Sequence, residues 1–313
     1  MTVGAVVDIV TTGYLTLDDL VLHDDHVVRD ALGGGALYAA VGARVWGLPV
    51  GIHACAGGDY PPRHLRSIEE GGIDTSGVTV GPDRSLRLWL LEEDEARKQQ
   101  LPKLASATVA EMDAKRGPLP AAYRGAAGFH VATSLPATQA AAVRAIREDA
   151  PAAIVTLDVW TEAFFDAGLY RDPEFLAGVD AFLPSDKEVE AIWGLADLPS
   201  TLRALAAGGP RSVAVKLGGR GCLLFDRARD AFWEMPAVPV RAVDTTGAGD
   251  AFCGGFLAGL LVTGDPLEAA LRGTVSASFV VEGHGALSAM GREPAEAERR
   301  LAALRPRIRQ VWR

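Results

Sequence analysis

The sequence is poor in cysteine, histidine and aromatic residues. It contains three cysteines and six histidines among 313 residues, and 7% of its residues are aromatic. Cys55, Cys222 and Cys253 are odd in number, widely spaced and form no CxxC pair. This pattern argues against a disulfide framework and predicts reduced, buried thiols in a cytoplasmic protein.

Long hydrophobic runs and an excess of positive charge are also missing. No apolar stretch approaches the roughly 20 residues needed to span a bilayer, and the N-terminal residues lack the basic region of a signal peptide. The chain carries 31 basic and 40 acidic residues, a formal net charge of −9. That balance argues against nucleic acid or an acidic membrane surface as the main partner. We therefore expect a soluble cytoplasmic protein with neither partner.

Several well-known site signatures are absent as well. There is no GxxxxGK[ST] phosphate loop. Two Gly-x-Gly pairs, at Gly33 and Gly247, are followed by Tyr38 and Phe252 where a dinucleotide-binding fingerprint needs glycine or alanine. No serine stands in a GxSxG turn. The sequence thus argues against a P-loop nucleotidase, a dinucleotide-binding enzyme and a GxSxG-type hydrolase.

What the sequence does have is an alternation of short β-branched runs with helical stretches. This alternation is typical of a mostly parallel sheet covered on both faces, and the length allows one large α/β domain or two small ones. The predicted strands are Val3–Val10, Val50–Ala56, Gly128–Ala132, Ala153–Asp158, Ala181–Leu183, Ser212–Leu217 and Cys222–Asp226. The predicted helices are Gly35–Trp46, Arg63–Gly71, Ala137–Glu148, Asp186–Trp193, Thr201–Ala207, Asp250–Val262, Pro266–Val281 and Glu293–Leu304.

One segment, Ser85 to Arg124, departs from this alternation. It begins with alternating Leu86, Leu88 and Leu90 and then becomes strongly charged. Strands that feed a flap over a site would have this pattern, and so would a solvated loop. We favour the flap.

The most informative stretch is Asp-Thr-Thr-Gly-Ala-Gly-Asp-Ala-Phe at residues 244–252. It follows a strand-like segment, Val238–Val243, and precedes the predicted helix Asp250–Val262. Glycines at a helix start let unpaired amides approach an anion closely, so the turn predicts an anion site. A carboxylate beside that site, Asp250, is suited to accept a proton from an attacking hydroxyl. The alternative is an ordinary N-cap aspartate.

These nine residues resemble the C-terminal signature of the pfkB family of ribokinase-like carbohydrate kinases. The resemblance implies a three-layer α/β/α sandwich with a mostly parallel central sheet and a small β lid. It further implies a single kinase domain over residues 1–313, with lid segments near 14–32 and 80–125. Asp250 would be the catalytic base, and Gly247, Ala248 and Gly249 would form the anion hole. ATP and Mg²⁺ are the implied cofactors. Because lid strands in this family often pair between subunits, the apolar run at Leu86 would permit a homodimer.

Two N-terminal elements resemble the family's acceptor-binding motifs. Asp18 matches the aspartate after the first strand, and Gly33, Gly34 and Gly35 match the glycine-rich start of a helix. Tyr38 stands where many members have asparagine. The tyrosine hydroxyl can still bind a substrate, but a buried core tyrosine is the alternative.

The remaining motifs resemble the nucleotide and metal side of the family site. Lys216, Gly218 and Gly221 match the nucleotide loop, although a plain β-hairpin turn explains them equally well. Gly285 falls where the adenine pocket is lined, and Glu188 matches the magnesium-organising Asn-x-x-Glu motif, with Ser185 in place of asparagine. Ser185 and Glu188 also fit a helix capping box. Some members bind K⁺, which would involve Asp244 and Thr246.

Taken together, the residues predict an ATP-dependent kinase that phosphorylates an alcohol group of a small polyhydroxylated substrate. The substrate could be a sugar, an inositol or a nucleoside. The alternative is a sensor that binds a sugar or nucleotide on the same fold without turnover, because two of the family's asparagines are replaced.

Overall fold

The computed structural model describes residues 6–22, 24, 26–94, 97–161, 168–194 and 197–312. In chain order the strands are β1 (Ile9–Tyr14), β2 (Thr16–Val21), β3 (Val27–Gly33), β4 (Val50–Ala56), β5 (Ile73–Val80), β6 (Leu86–Asp94), β7 (Arg97–Pro102), β8 (Gly128–Val131), β9 (Ile154–Leu157), β10 (Ala181–Phe182), β11 (Ser212–Lys216), β12 (Cys222–Asp226), β13 (Ala231–Met235) and β14 (Arg309–Trp312). The helices are α1 (Gly35–Arg44), α2 (Pro62–Glu70), α3 (Val109–Lys115), α4 (Pro136–Asp149), α5 (Asp186–Trp193), α6 (Leu198–Ala207), α7 (Ala248–Thr263), α8 (Pro266–Val280) and α9 (Pro294–Leu304).

Ten strands form the central sheet, in the order β14-β13-β12-β11-β10-β9-β8-β1-β4-β5. Strands β11 to β5 in that order run parallel, and β12, β13 and β14 extend the sheet antiparallel. Neighbouring residues on one strand enter two different hydrophobic cores: Ile9 packs with α1, α7 and α8, whereas Val10 packs on the opposite face. A parallel sheet buried on both faces needs apolar residues at every position, which explains the continuous runs in the sequence. The predicted three-layer α/β/α arrangement is confirmed.

Helix α7 lies deep in the molecule, packed between α1 and α8. Residues Ala251 to Leu260 are all buried. Its glycines are contact points, because a Cβ added at Gly254 would lie 1.8 Å from the carbonyl oxygen of Ala39, and one at Gly259 would lie 2.5 Å from the Cα of Ala269. Helix α7 therefore has neighbouring backbone in close contact on two sides.

Four strands form a separate small sheet, in the order β3-β2-β6-β7. They fall within the two segments where the sequence predicts a lid. The guanidinium of Arg87 on β6 joins this small sheet to the central part, because it binds Asp59, which follows β4, at 3.2 Å and Asp30 on β3 at 3.0 Å. Strand β3 then continues directly into α1 through Gly34.

Two sequence predictions need correction. The predicted strand Val238–Val243 does not form, and the last strand before the Gly-Ala-Gly turn is β13, which ends at Met235. Pro236 and Pro239 explain this, because proline has no amide hydrogen for a sheet ladder. The first strand runs from Ile9 to Tyr14 rather than from Val3, and residues 1–5 lie outside the described part.

No helix in the described part of the chain is long and apolar enough to cross a bilayer.

Candidate active site

A cleft with a volume of about 1540 Å³ opens between the small sheet and the ends of the parallel strands. Ligand sites of open α/β sheets lie at this carboxyl edge. Most of the predicted site residues line the cleft: Asp18, Gly34, Gly35, Tyr38, Glu188, Lys216, Gly218, Gly221, Thr246, Gly247, Ala248, Gly249 and Asp250. Gly33, Asp244 and Gly285 are outside its lining. The structure thus brings together residues that are more than 200 positions apart in the sequence.

The Gly-Ala-Gly turn is the N-terminus of α7. Gly247 is the N-cap, with a φ of 72° in the left-handed region, and the first intrahelical bond runs from the amide of Ala251 to the carbonyl of Gly247. The amides of Gly249 and Asp250 precede that bond, whereas the amide of Ala248, which the sequence predicts as part of the anion hole, donates to the carbonyl of Thr245 at 3.3 Å. Because α7 has 16 residues, its N-terminal partial positive charge is fully developed at this point in the cleft. The geometry suits an anion or a developing negative charge.

Asp250 lies in the first turn of α7 and faces the start of α1. A Cβ added at Gly35 would lie 2.7 Å from Asp250 Oδ1, so the carboxylate and the α1 backbone are in close contact. Burial raises the pKa of Asp250 to about 6, and Lys216 opposes this rise. A carboxyl group with a pKa raised in this direction is still mostly ionised at neutral pH and is better suited to accept a proton than an ordinary aspartate.

Asp18 lies on β2 and is the acidic residue of the small sheet that faces the cleft. Its Oδ2 accepts a hydrogen bond from Thr16 Oγ1 at 2.8 Å, while Oδ1 is buried and has no hydrogen-bond partner. Burial raises the pKa of Asp18 to about 7. The Asp18 carboxylate packs directly against the backbone of Gly33, because a Cβ added there would lie 2.1 Å from Asp18 Oδ2. A buried carboxylate oxygen without a partner is suited to accept a hydroxyl hydrogen from a ligand.

Tyr38 is both a core residue and a cleft residue. It is 3% exposed, and its ring packs on the turn, because a Cβ at Gly247 would lie 2.2 Å from Tyr38 Cγ. Burial, together with Asp244, Asp18 and Asp250, raises its pKa well above the ordinary value. Its hydroxyl therefore remains protonated. Tyr38 is therefore a buried core residue, as one of the two sequence alternatives predicts, and substrate binding by its hydroxyl stays a prediction.

Alternating leucines make the small-sheet wall of the cleft apolar. Leu86, Leu88 and Leu90 on β6 all line the cleft, so this run faces the site, and a homodimer through the lid stays a prediction. Further apolar residues extend the same wall: Pro102, Ala107, Val109, Ala110 and Leu135. A ligand that sits here meets polar groups near Asp18 and an apolar surface beyond them.

The hairpin between β11 and β12 forms the opposite end of the cleft. Gly218 and Gly221 adopt φ values of 57° and 98°, and strands β11 and β12 pair antiparallel, so the loop is a hairpin turn that also lines the cleft. Facing it are the irregular segment 236–240 and one side of α8, including Ala277. A Cβ at Gly285 would lie 3.8 Å from Ala31 and Leu32 on β3, which places this glycine away from the hairpin end.

Lys216 ends β11 but does not extend freely toward this end. Its ammonium group binds the carboxylate of Asp158, which directly follows β9, and lies 3.8 Å from Cys253 Sγ on α7. The sequence did not predict this pairing, although it placed both residues at strand ends.

Ser185 and Glu188 form the capping box of α5. The Ser185 amide donates to Glu188 Oε2, and the Glu188 amide donates to Ser185 Oγ at 3.3 Å. Burial raises the pKa of Glu188 to about 7.

Asp244 is buried beside the turn. Its Oδ1 accepts hydrogen bonds from the Thr246 amide at 2.9 Å and from Thr246 Oγ1 at 2.7 Å, and its Oδ2 lies 3.7 Å from His284 Nδ1. Within the described ranges, no three His, Cys, Asp or Glu side chains converge as a metal cage would.

Comparison with known proteins decides the family. Residues 1–291 match the profile described as pfkB family carbohydrate kinase. The chain belongs to the pfkB family. This pfkB kinase is 29% identical over 271 residues to a cytidine kinase of Thermococcus kodakarensis, an alignment that covers 85% of this chain and 92% of the relative.

Other relatives of the pfkB kinase carry different names. A 2-dehydro-3-deoxygluconokinase of Escherichia coli is 36% identical over 110 residues, 34% of this chain and 35% of the relative. An E. coli structure of a ribokinase II candidate in complex with ATP and Mg²⁺ superposes with a TM-score of 0.73, at 17% identity over 95% of this chain and 99% of that one. The ribokinase-like fold is confirmed.

Among the cleft residues of the pfkB kinase that the sequence analysis did not single out are Tyr14, Lys103 and Arg307. Tyr14 ends β1, a position that the strand-end rule could have identified. Lys103 lines the cleft beside Leu88, binds Asp19 at 2.7 Å and lies over the Trp89 ring at 4.5 Å. No local pattern marks Lys103, nor Arg307 at the hairpin end, because only the tertiary fold brings them to the cleft.

Proposed function

We propose that the chain transfers the γ-phosphoryl group of ATP to a hydroxyl group of a small polyhydroxylated acceptor, with Asp250 as the base. One observation carries this proposal: Asp250 and the first amides of α7 share one helix N-terminus at the floor of a single cleft. An acid that accepts a proton and a group of amides that binds an anion are the two parts that phosphoryl transfer to an alcohol requires.

The acceptor would bind beneath the small sheet, which we propose is a lid on a single domain spanning residues 1–313. Asp18 would accept a hydrogen bond from one hydroxyl, and the turn Gly33-Gly34-Gly35 would approach the acceptor closely. Asp250 would take the proton of the reacting hydroxyl as the amides of Gly247, Ala248 and Gly249 stabilise the negative charge of the transferred group. The leucines of β6 would exclude water.

The hairpin end of the cleft suits the nucleotide. Gly218 lets backbone come near a ligand without a side chain in the way, because nothing lies within 4 Å of a Cβ built there. ATP supplies the phosphoryl group when it is bound, and Mg²⁺ neutralises its phosphates. Mg²⁺ commonly takes few protein ligands and keeps several waters, so Glu188 would act from its outer shell. We propose K⁺ beside Asp244 and Thr246 on the resemblance to the family.

Among acceptors we propose a nucleoside. Its sugar hydroxyls would face Asp18 and Asp250, and its planar base would pack on the apolar wall of Leu86, Leu88 and Leu90. Free sugars have hydroxyls on every side and would leave some of them against this wall without partners, which is costly. The similarity to a cytidine kinase supports the same class.

The test is Asp250→Asn, assayed by ADP release with a panel of nucleosides, sugars and inositols. We expect kcat to fall about 10²–10⁴-fold without loss of thermal stability, because the base is lost while the helix remains. Asp149→Asn, at the exposed end of α4, is the matched control and should be neutral. Near-normal turnover of Asp250→Asn would reject the mechanism. Tight binding without ADP release by the unchanged protein would favour a sensor.

A further inference from the structure

The ion pair behind the Gly-Ala-Gly turn is the most deeply buried pair of opposite charges near the site. The side chains of Lys216 and Asp158 are 11% and 3% exposed. Cys253 Sγ lies 3.5 Å from Asp158 Oδ2, so three groups from β11, the end of β9 and α7 meet in one place. Burying a charged pair costs desolvation energy, and replacing such a pair by apolar residues is often neutral or stabilising. Stability alone is therefore a weak explanation for its presence.

The position of Lys216 relative to Asp250 suggests a different role. A Cβ built at Gly249 would lie 3.5 Å from Lys216 Nζ, so the ammonium group sits against the turn, one residue before Asp250. Lys216 is also bound in place by Asp158 rather than extending into the hairpin end of the cleft.

We propose that the Lys216–Asp158 pair positions the charge that keeps Asp250 in its carboxylate form. The proposal rests on the function proposed above, in which Asp250 is the base. Lys216 attracts the negative charge of Asp250, and Asp158 holds the ammonium group behind the turn while partly offsetting its charge. Neither side chain needs to touch the acceptor, so both are positioning residues.

Lys216 and the acidic groups around Asp250 act on its pKa in opposite directions. Burial raises the pKa of Asp250, Lys216 lowers it, and Glu188 raises it. Asp158 and Cys253 each interact electrostatically with Asp250, as do two tyrosines of β1 and α1. The titratable and charged groups that face Asp250 are therefore Lys216, Glu188, Asp158, Cys253, Tyr14 and Tyr38. Lys216 is the cation among them, and its removal should leave the backbone hydrogen bond of Asp250 as the remaining contribution that lowers its pKa.

Two variants with opposite expected effects test the proposal. In Lys216→Met the acid limb of the kcat/KM profile should move to higher pH by about 1 unit, the size expected for loss of a close opposite charge. In Asp158→Asn the limb should move to lower pH, because a neighbouring negative charge is lost. A general structural disturbance would shift both variants in the same direction or shift neither, and either result would overturn the proposal.

The double variant Lys216→Met/Asp158→Asn keeps the test decisive if Lys216→Met alone fails to fold, since it removes both charges. Compared with Asp158→Asn, it isolates the lysine charge, and its limb should lie at higher pH. The same order should appear in the ¹³C carboxyl resonance of Asp250 in the nucleotide-free protein, assigned by its loss in Asp250→Asn. If the pKa of Asp250 were the same in these variants as in the unchanged protein, the proposal would be overturned.

Nucleotide affinity separates this role from direct phosphate binding, which the sequence predicts for Lys216. Calorimetry of ATP binding to Lys216→Met should give a Kd within about threefold of that of the unchanged protein, a change in binding free energy of less than 1 kcal/mol. A loss above tenfold with an unmoved acid limb would show that Lys216 is a phosphate ligand and overturn the proposal. Failure of the proposed function itself is distinguishable, because Asp250→Asn would then remain active.

Discussion

Replacement of Gly247 by alanine should damage the turn in two separable ways. The residue has a φ of 72°, where a non-glycine residue costs about 1–2 kcal/mol. Its new Cβ would also lie 2.2 Å from Tyr38 Cγ, and overpacking of a buried site typically costs about 1–3 kcal/mol. The free energy of unfolding should therefore fall by roughly 2–5 kcal/mol.

Gly218→Ala is the matched control for Gly247→Ala. Gly218 has a φ of 57°, but nothing lies within 4 Å of its added Cβ, so only the backbone cost of about 1–2 kcal/mol applies. Urea unfolding of both variants measures the difference.

Tyr38→Ala provides a second check on Gly247→Ala. In the double variant the overlap is relieved. The double variant should therefore be destabilised by about 1–3 kcal/mol less than the sum of the two single variants. Equal destabilisation by the Gly247 and Gly218 variants, with full additivity in the double variant, would refute the assignment of Tyr38 as the contact.

Three further outcomes are expected. Gly35→Ala places a Cβ 2.7 Å from Asp250 Oδ1 and should lower kcat roughly 10²-fold by displacing this carboxylate. Gly219→Ala has open space around its added Cβ and should not lower kcat. Equal kcat values for the two variants would contradict this prediction. Burial raises the pKa of Asp18 from 3.8 to about 7, so the folded chain holds this proton more tightly than the unfolded chain. Between those pH values the unfolding free energy of the unchanged protein should fall relative to Asp18→Asn as pH rises, and parallel urea-derived profiles would speak against it. Leu88→Asn should reduce kcat/KM for nucleosides more than for free sugars, and a uniform loss would argue against the apolar base site.

The fold and the centre of the site were accessible from the sequence because their signals are local and redundant. Continuous apolar runs specify buried parallel strands, and the nine residues around Asp250 contain the turn together with the residues that we propose as anion site and base. Gly35 is also in the predicted place, at the start of α1. Its contact with Asp250 could not be foreseen, since it depends on how α1 packs against α7.

The failures have physical reasons of the same kind. Val238 to Val243 has the composition of a strand, but the two prolines at its start remove ladder donors, and the segment forms part of the cleft wall instead. The free Lys216 that the nucleotide-loop resemblance implies becomes an ion-paired one because Asp158 ends a neighbouring strand. Pairings across a sheet depend on strand order, which a single sequence does not state.

The tight packing of α7 has a consequence for how such a protein can change its acceptor. With Ala39 and Ala269 in direct contact with its glycines, the helix that bears Asp250 tolerates almost no added volume. In the four-stranded sheet above it, by contrast, the cleft-lining side chains of Leu88, Gln100 and Pro102 are not fully buried. Substitutions that change acceptor recognition should therefore occur mainly in the four-stranded sheet, while the N-terminus of α7 stays nearly unaltered.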